Sequence, residues 1–236
     1  HGFHARSDSQ SLRIKGGLAF QGDQNLRVQF RNINLDWLSG FVDPGFPISG
    51  FFSGDIDLEG TAEKPVLNSV FTLDHPSIDT LTFQSVQARF DYSENKVLFE
   101  GSITANHAML LHIEGNALHS ISLNDTLSLP DASTPIEGSL LIEQLNPGLF
   151  NSFLKSGLKL NGMMRVEASV DSTLGHPDYE GTLTWQDGTI NWPKQGLMYS
   201  DITLNSDFSD EQLELNELKI HSEDGYLSAV GRMGMK

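Results

Sequence analysis

Apolar and polar residues alternate with a period of two along most of this 236-residue chain. Leu12 and Ile14; Leu26, Val28 and Phe30; Ile56 and Leu58; Phe71 and Leu73; Val86, Ala88, Phe90 and Tyr92; Val97 and Phe99; Leu111 and Ile113; Leu183 and Trp185; Ile202 and Leu204; and Leu213 and Leu215 all obey it, with Asp, Gln, Thr, Ser, Arg, Asn or Glu between them. Successive side chains on a strand point to opposite faces, so each segment predicts a strand with one apolar and one wet face. Gly, Asn and Asp clusters such as Ser93-Glu94-Asn95, Gln186-Asp187-Gly188 and Glu223-Asp224-Gly225 predict the turns. Short loops between alternating runs imply antiparallel neighbours. The pattern predicts an all-β antiparallel meander.

A longer repeat underlies the alternation. Shifting the sequence by 112 places Trp37 on Leu149, Phe41 on Phe153, Gly50 on Gly162, Phe52 on Met164, Pro65 on Pro177, Phe71 on Leu183 and Leu73 on Trp185, without a gap from 34 to 78. A four-residue insertion then brings Phe83 onto Tyr199, Val86 onto Ile202, Tyr92 onto Phe208 and Val97 onto Leu213. Alternation alone reproduces the parity but not the shared Gly and Pro landmarks, so the chain reads as two copies of one unit. The predicted organisation is the end of a preceding β unit at 1–25, a first unit at 26–118, a connecting loop at 119–135 and a second unit at 136–236, continuous with the first. Each copy opens on a segment of helical spacing: Leu35, Leu38 and Phe41 in the first, and Leu145, Leu149, Phe150, Phe153 and Leu154 in the second. Pro147 suits a first helical turn. These segments predict two short helices or helical turns, placed to cap the sheet's apolar face.

Charge narrows the partners. Fifteen Lys and Arg against 31 Asp and Glu give a formal charge of −16. That balance argues against nucleic acid, whose binders meet phosphates with Lys and Arg, and it equally disfavours an anionic bilayer surface. There is no cysteine, which excludes a disulfide framework, a zinc–thiolate site and a thiol nucleophile. No stretch approaches the roughly 20 apolar residues of a spanning helix. The opening His1-Gly2-Phe3-His4-Ala5-Arg6 is no signal peptide and reads as the edge of a longer protein.

The order of landmarks carries a family resemblance. The second copy reads Gly162-Met-Met-Arg-Val-Glu-Ala-Ser-Val-Asp-Ser-Thr-Leu-Gly-His-Pro177, then Tyr179-Glu-Gly-Thr-Leu-Thr-Trp185, Gly196-Leu-Met-Tyr-Ser-Asp-Ile202 and Glu223-Asp-Gly-Tyr-Leu-Ser-Ala-Val-Gly231. The first carries Gly50-Phe-Phe-Ser-Gly-Asp-Ile-Asp-Leu-Glu-Gly-Thr-Ala-Glu-Lys-Pro65, with Lys64 where a Gly is usual. From about residue 26 to 236 the chain resembles the repeats of the TamB/AsmA-like family. The resemblance implies a long curled antiparallel sheet, an open β-taco with an apolar groove, in the Gram-negative periplasm. It implies a full-length protein anchored in the inner membrane, a TamA-like Omp85-type outer-membrane barrel as partner through the rest of the protein, and phospholipid as cargo between the two membranes. The alternative it leaves is a scaffold or chaperone-like module for outer-membrane protein assembly that binds no lipid.

On that reading the groove lining is Phe52, Ile56, Leu58, Phe71, Leu73, Val86, Phe90, Val97, Phe99, Leu111 and Ile113 in the first unit. In the second it is Met164, Val166, Ala168, Val170, Leu183, Trp185, Ile202, Leu204, Leu213, Leu215 and Leu227. Without the resemblance the same residues would line the dry core of a sandwich or closed barrel.

Other chemistry is weakly supported. His107, His112 and His119 do not share a strand face, as a metal site would require. Asp55, Asp57 and Glu59 lie on one face, as paired carboxylates of a glycosidase could, but they alternate with Ile56 and Leu58 and read as a solvated face. Asp207, Asp210 and Glu211 lack the Gly and terminal Glu of a calcium loop. A lectin-like surface would rest on Trp185, Trp192 and Tyr199. No Gly-x-Ser-x-Gly elbow or phosphate loop occurs. The expectation is a non-enzyme with no cofactor.

Overall fold

A computed structural model describes residues 2–235 except 8, 20–21, 36–47, 79–80, 106–107, 125–129, 155–156 and 223–224. The described elements are almost entirely strands, in two compact units. Unit 1 comprises His1–Glu137 and Thr173–His176, and unit 2 comprises Gly138–Ser172 and Pro177–Lys236. Unit 1 holds β1 (Gly2–Ser7), β2 (Gln10–Gly17), β3 (Asn25–Asn34), β4 (Ile48–Gly60), β5 (Pro65–Ile78), β6 (Leu81–Thr82), β7 (Ser85–Ser93), β8 (Lys96–Ala105) and β9 (Ala108–Leu118). Unit 2 is built from β10 (Ile136–Leu145), β11 (Lys159–Thr173), β12 (His176–Trp192), β13 (Leu197–Ser209), β14 (Gln212–Ser222) and β15 (Gly225–Gly234). The strands pair antiparallel with their neighbours in chain order, and β6 is a short flap on β5. Strands β1 and β15 are each paired along one side only, so the sheet is not closed into a barrel. The all-β antiparallel expectation holds.

Register follows the alternation. In unit 1, Ile56, Ser69, Phe90 and Phe99 stand opposite one another across β4, β5, β7 and β8. Gly54, Phe71, Ala88, Gly101 and Ile113 form the next row, reaching β9. Phe52, Leu73, Val86, Ile103 and Leu111 form a third. In the second row Phe71 stands between Gly54 and Ala88, because the rings need the space. A Cβ on Gly54 would lie 2.6 Å from Phe30 and 2.7 Å from Phe71.

The backbone carries the repeat more plainly than the side chains do. Left-handed φ occurs at Asn32, Gly50, Gly60 and His75 in unit 1, and at Gln144, Gly162, Ser172 and Asp187 in unit 2. Each pair is 112 residues apart. The register slips between Phe30 and Ile33 in β3 and between Ile142 and Leu145 in β10, again at the same offset. A bulge adds one residue and bends its strand, so each unit is creased at equivalent places. Gln186-Asp187-Gly188, expected as a turn, is instead a bulge inside β12, where Gly188 packs against Trp185 and Ile202. The four-residue insertion has a place too. The β5–β6 hairpin closes at Ile78 and Leu81, whereas the β12–β13 hairpin runs out to Trp192 and Leu197 and turns through Pro193–Gln195.

The second helical segment forms as a 3-10 helix at Pro147–Phe153, with Pro147 in its first turn and the Asn146 side chain accepting a hydrogen bond from the Gly148 amide. Asn151 ties it to β11 by exchanging two hydrogen bonds with the Leu160 backbone. The first helical segment, at Leu35, Leu38 and Phe41, falls at and within 36–47, outside the described residues beyond Leu35.

Candidate functional site

The candidate site is the apolar face of each unit. In unit 1 the register sets all eleven predicted residues, Phe52 to Ile113, on one face. Leu12, Ile14, Leu26, Val28 and Phe30 extend it over β2 and β3. In unit 2, Met164, Val166, Ala168 and Val170 alternate along β11 as the half-buried positions. Leu183, Trp185, Ile202, Leu204, Leu213, Leu215 and Leu227 occupy corresponding positions on β12–β15. The face also includes Leu140, Ile142 and Phe208, and Leu218 and Ile220 beyond a bulge at Asn216. Simple parity misses Leu218 and Ile220 because the bulge reverses it.

These faces are half-covered rather than dry. Among the described residues Ile202 is the one predicted lining residue that is fully buried. Phe90 and Ile113 remain about 43% and 38% exposed, and Leu227, on the edge strand, 53%. The others sit between buried and exposed. A closed core would bury them all.

The rings of unit 1 pack on each other. Phe52 lies 5.0 Å from Phe30 and is stacked on Phe71 at 5.8 Å, and Phe71 meets Phe90 at 6.2 Å. Unit 2 has Ile142, Met164, Leu183 and Ser206 at the four equivalent positions. Two serines sit buried on the apolar faces, Ser69 and Ser206; the Ser69 hydroxyl donates to the Phe90 carbonyl at 2.8 Å. One end of unit 1 is tied by a strap. The Tyr92 phenol accepts from the Ile121 amide at 2.8 Å, and the Leu123 amide donates to the Ala62 carbonyl.

The opposite faces carry the ion pairs. Arg27 pairs with Asp57, Arg31 reaches both oxygens of Asp55 at 2.8 Å, and Gln29 donates to Asp55 at 2.7 Å. The Arg31 hydrogen bond holds the Asp55 carboxyl below the usual carboxylate range, against the opposing pull of desolvation. Asp55 and Asp57 are thus bound to cations on β3, not poised as a catalytic pair. In unit 2, Arg165 bridges Glu143 and Glu167. A recess of about 640 Å³ on this side is lined by Ser139, Leu141, Glu167, Thr182, Asp207 and Glu214 among others. Of the three histidines, His112 faces Glu114 at 3.7 Å and His107 lies outside the described residues. Among the described residues no group of three His, Asp or Glu could hold a metal, and no helix is long and apolar enough to cross a membrane.

Residues 10–185 match the family model described as TamB, N-terminal domain. The chain belongs to the TamB family. It is 23% identical over 218 residues to the translocation and assembly module subunit TamB of Haemophilus influenzae (strain ATCC 51907 / DSM 11121 / KW20 / Rd), an alignment that spans 88% of this chain. It covers only 16% of that TamB protein's length. No solved structure matches the chain.

Proposed function

We propose that this chain is a periplasmic segment of a TamB-like bridge whose apolar sheet faces shield phospholipid acyl chains between the inner and outer membranes. It acts by binding rather than by catalysis. The supporting observation is the long apolar face that the fold leaves half-exposed, with only Ile202 of the predicted lining fully buried. A sheet's apolar face must be covered by something. Each acyl CH2 buried is worth roughly 0.8 kcal/mol, so two chains gain on the order of 20 kcal/mol in a fully dry site and enough in a half-wet one. A face without a deep pocket lets a chain slide, and headgroups stay in water. Contact with an Omp85-type barrel belongs to the rest of the protein.

Native mass spectrometry of the purified chain, with lipid extraction, tests this. Co-purifying phospholipid is expected, and Phe71→Asp or Leu183→Asp should abolish it while circular dichroism stays that of a folded sheet. A clean apo mass with no uptake of fluorescent phospholipid sinks the reading.

A further inference from the structure

Glycine recurs on the apolar faces where strand geometry does not ask for it. Gly54, Gly115 and Gly181 lie inside β4, β9 and β12, and none of them has a left-handed φ. Glycine inside a strand weakens it, so what these positions gain is the missing Cβ. In each case an aromatic ring takes its place. Gly54 stands directly opposite Phe30, Gly115 opposite Phe99 and Gly181 opposite Phe208. A Cβ on these glycines would lie 2.6, 2.5 and 2.6 Å, in that order, from the Cζ at the tip of the facing ring. Strand side chains ordinarily stand roughly perpendicular to the sheet. A ring whose tip lies over the opposed residue, about 5 Å away across the ladder, has instead reclined onto the sheet. Phe71 meets the same Gly54, and the Trp185 indole lies where a Cβ on Gly162 or Gly188 would be, at 2.6 and 2.7 Å. The pattern holds in each unit by itself.

We propose that the ring-covered glycines make each apolar face a level floor that selects unbranched acyl chains over methyl-branched, polyprenyl-type chains. This deepens the acyl-chain reading above and rests on it. In the core of a sandwich, side chains of two layers stand up and interdigitate. Here the rings lie down, and Phe30, Phe71, Phe99, Trp185 and Phe208 are all only half-buried. A straight chain touches a level floor along its whole length, and no upright ring fixes its position. Methyl branches prop a chain off the same floor. A gap of about 0.5–1 Å forfeits a quarter to a half of each contact, and that loss repeats at every branch. Clefts between upright rings would take the branches in and remove the difference. Gly54, Gly115 and Gly181 are therefore specificity-determining residues, although the ligand meets the rings and not the glycines.

Competition in native mass spectrometry decides it. The probes are two lysophosphatidylcholines with the same headgroup and main-chain length, one palmitoyl and one phytanoyl. Partitioning by apolar area alone favours the phytanoyl lipid, because its branches add carbon. The level floor should reverse that order and hold the palmitoyl lipid about tenfold more tightly. Gly54→Ala puts a Cβ against ring atoms of Phe30 and Phe71. It should raise those rings and cut the preference about threefold, with unit 2 keeping its own. An unchanged circular dichroism spectrum confirms that this variant folds, and the competition on the unaltered chain stands without it. Equal retention of the two lipids, or a phytanoyl preference, overturns the proposal and leaves the acyl-chain reading standing. A folded Gly54→Ala chain with undiminished preference does the same. Retention of neither lipid sinks the acyl-chain reading itself, and this proposal with it.

Discussion

Units 1 and 2 share a backbone design and differ in what they hang on it. Left-handed residues recur at an offset of 112 as Asn32 and Gln144, Gly50 and Gly162, Gly60 and Ser172, and His75 and Asp187. Only the second pair is glycine in both units. The reason is local: at Gly162 a Cβ would lie 2.8 Å from the Gln186 carbonyl and the Gly188 Cα, and at Gly50 it would lie 3.1 Å from the Asp74 carbonyl and the Pro76 Cα. At the other three pairs an Asn, Gln, His, Ser or Asp takes the left-handed turn in at least one unit, Gly60 being replaced by Ser172. The apolar faces diverge far more, with packed phenylalanines in unit 1 and Ile142, Met164, Leu183 and Ser206 at the same places in unit 2. Crease geometry is thus fixed by backbone, while the apolar surface is free to vary provided that its parity is kept.

The largest test of that contrast is at the shared glycine. Gly162→Ala combines a left-handed φ of 117° with two backbone clashes and should destabilise unit 2 by about 3 kcal/mol. Gly50→Ala, whose nearest atoms are a few tenths of an ångström further away, should cost unit 1 about 1–2 kcal/mol. Two units need not melt together, so each is followed separately: Trp185 fluorescence for unit 2 and amide exchange in β4 and β5 for unit 1. If the order reverses, the two creases are not equivalent.

Much of this was legible in the residues themselves. Alternation predicts the strands, and the Gly50–Gly162 and Pro65–Pro177 landmarks locate the repeat and even its insertion. The bulges were not legible, because Asn32, Gln144, His75 and Asp187 are ordinary polar residues whose left-handed conformation is imposed by their neighbours. Ser69 and Ser206 were invisible as members of an apolar face, since hydropathy reads them as polar while register buries them. The strap was equally hidden: nothing near Tyr92 in sequence announces that its phenol will hold Ile121.

That strap gives the second test, because unit 2 has Phe208 where unit 1 has Tyr92. Tyr92→Phe leaves the Ile121 amide without its acceptor and should cost about 1 kcal/mol. Exchange at Ile121 should quicken about fivefold while β4 and β5 keep their protection. An unchanged rate would mean that the Leu123–Ala62 bond alone holds the segment, and that Tyr92 does not distinguish the units.

The smallest effect concerns the polar faces, where the units place opposite charges at one position: Arg31 in the first and Glu143 in the second. Each is paired across to the next strand, Arg31 to Asp55 and Glu143 to Arg165. Asp55 is held below its unfolded value of about 3.9 chiefly by Arg31. Its ionised form therefore adds stability that is complete above that value and is lost as the pH falls through the depressed folded value. Arg31→Gln should move the Asp55 titration upward in a carboxyl NMR experiment. Near neutral pH it should cost only a few tenths of a kcal/mol, because both partners are well exposed. A titration that stays depressed would assign the effect to the Gln29 bond instead. In that case the charge on β3 would be free to change sign between repeats without consequence for the fold.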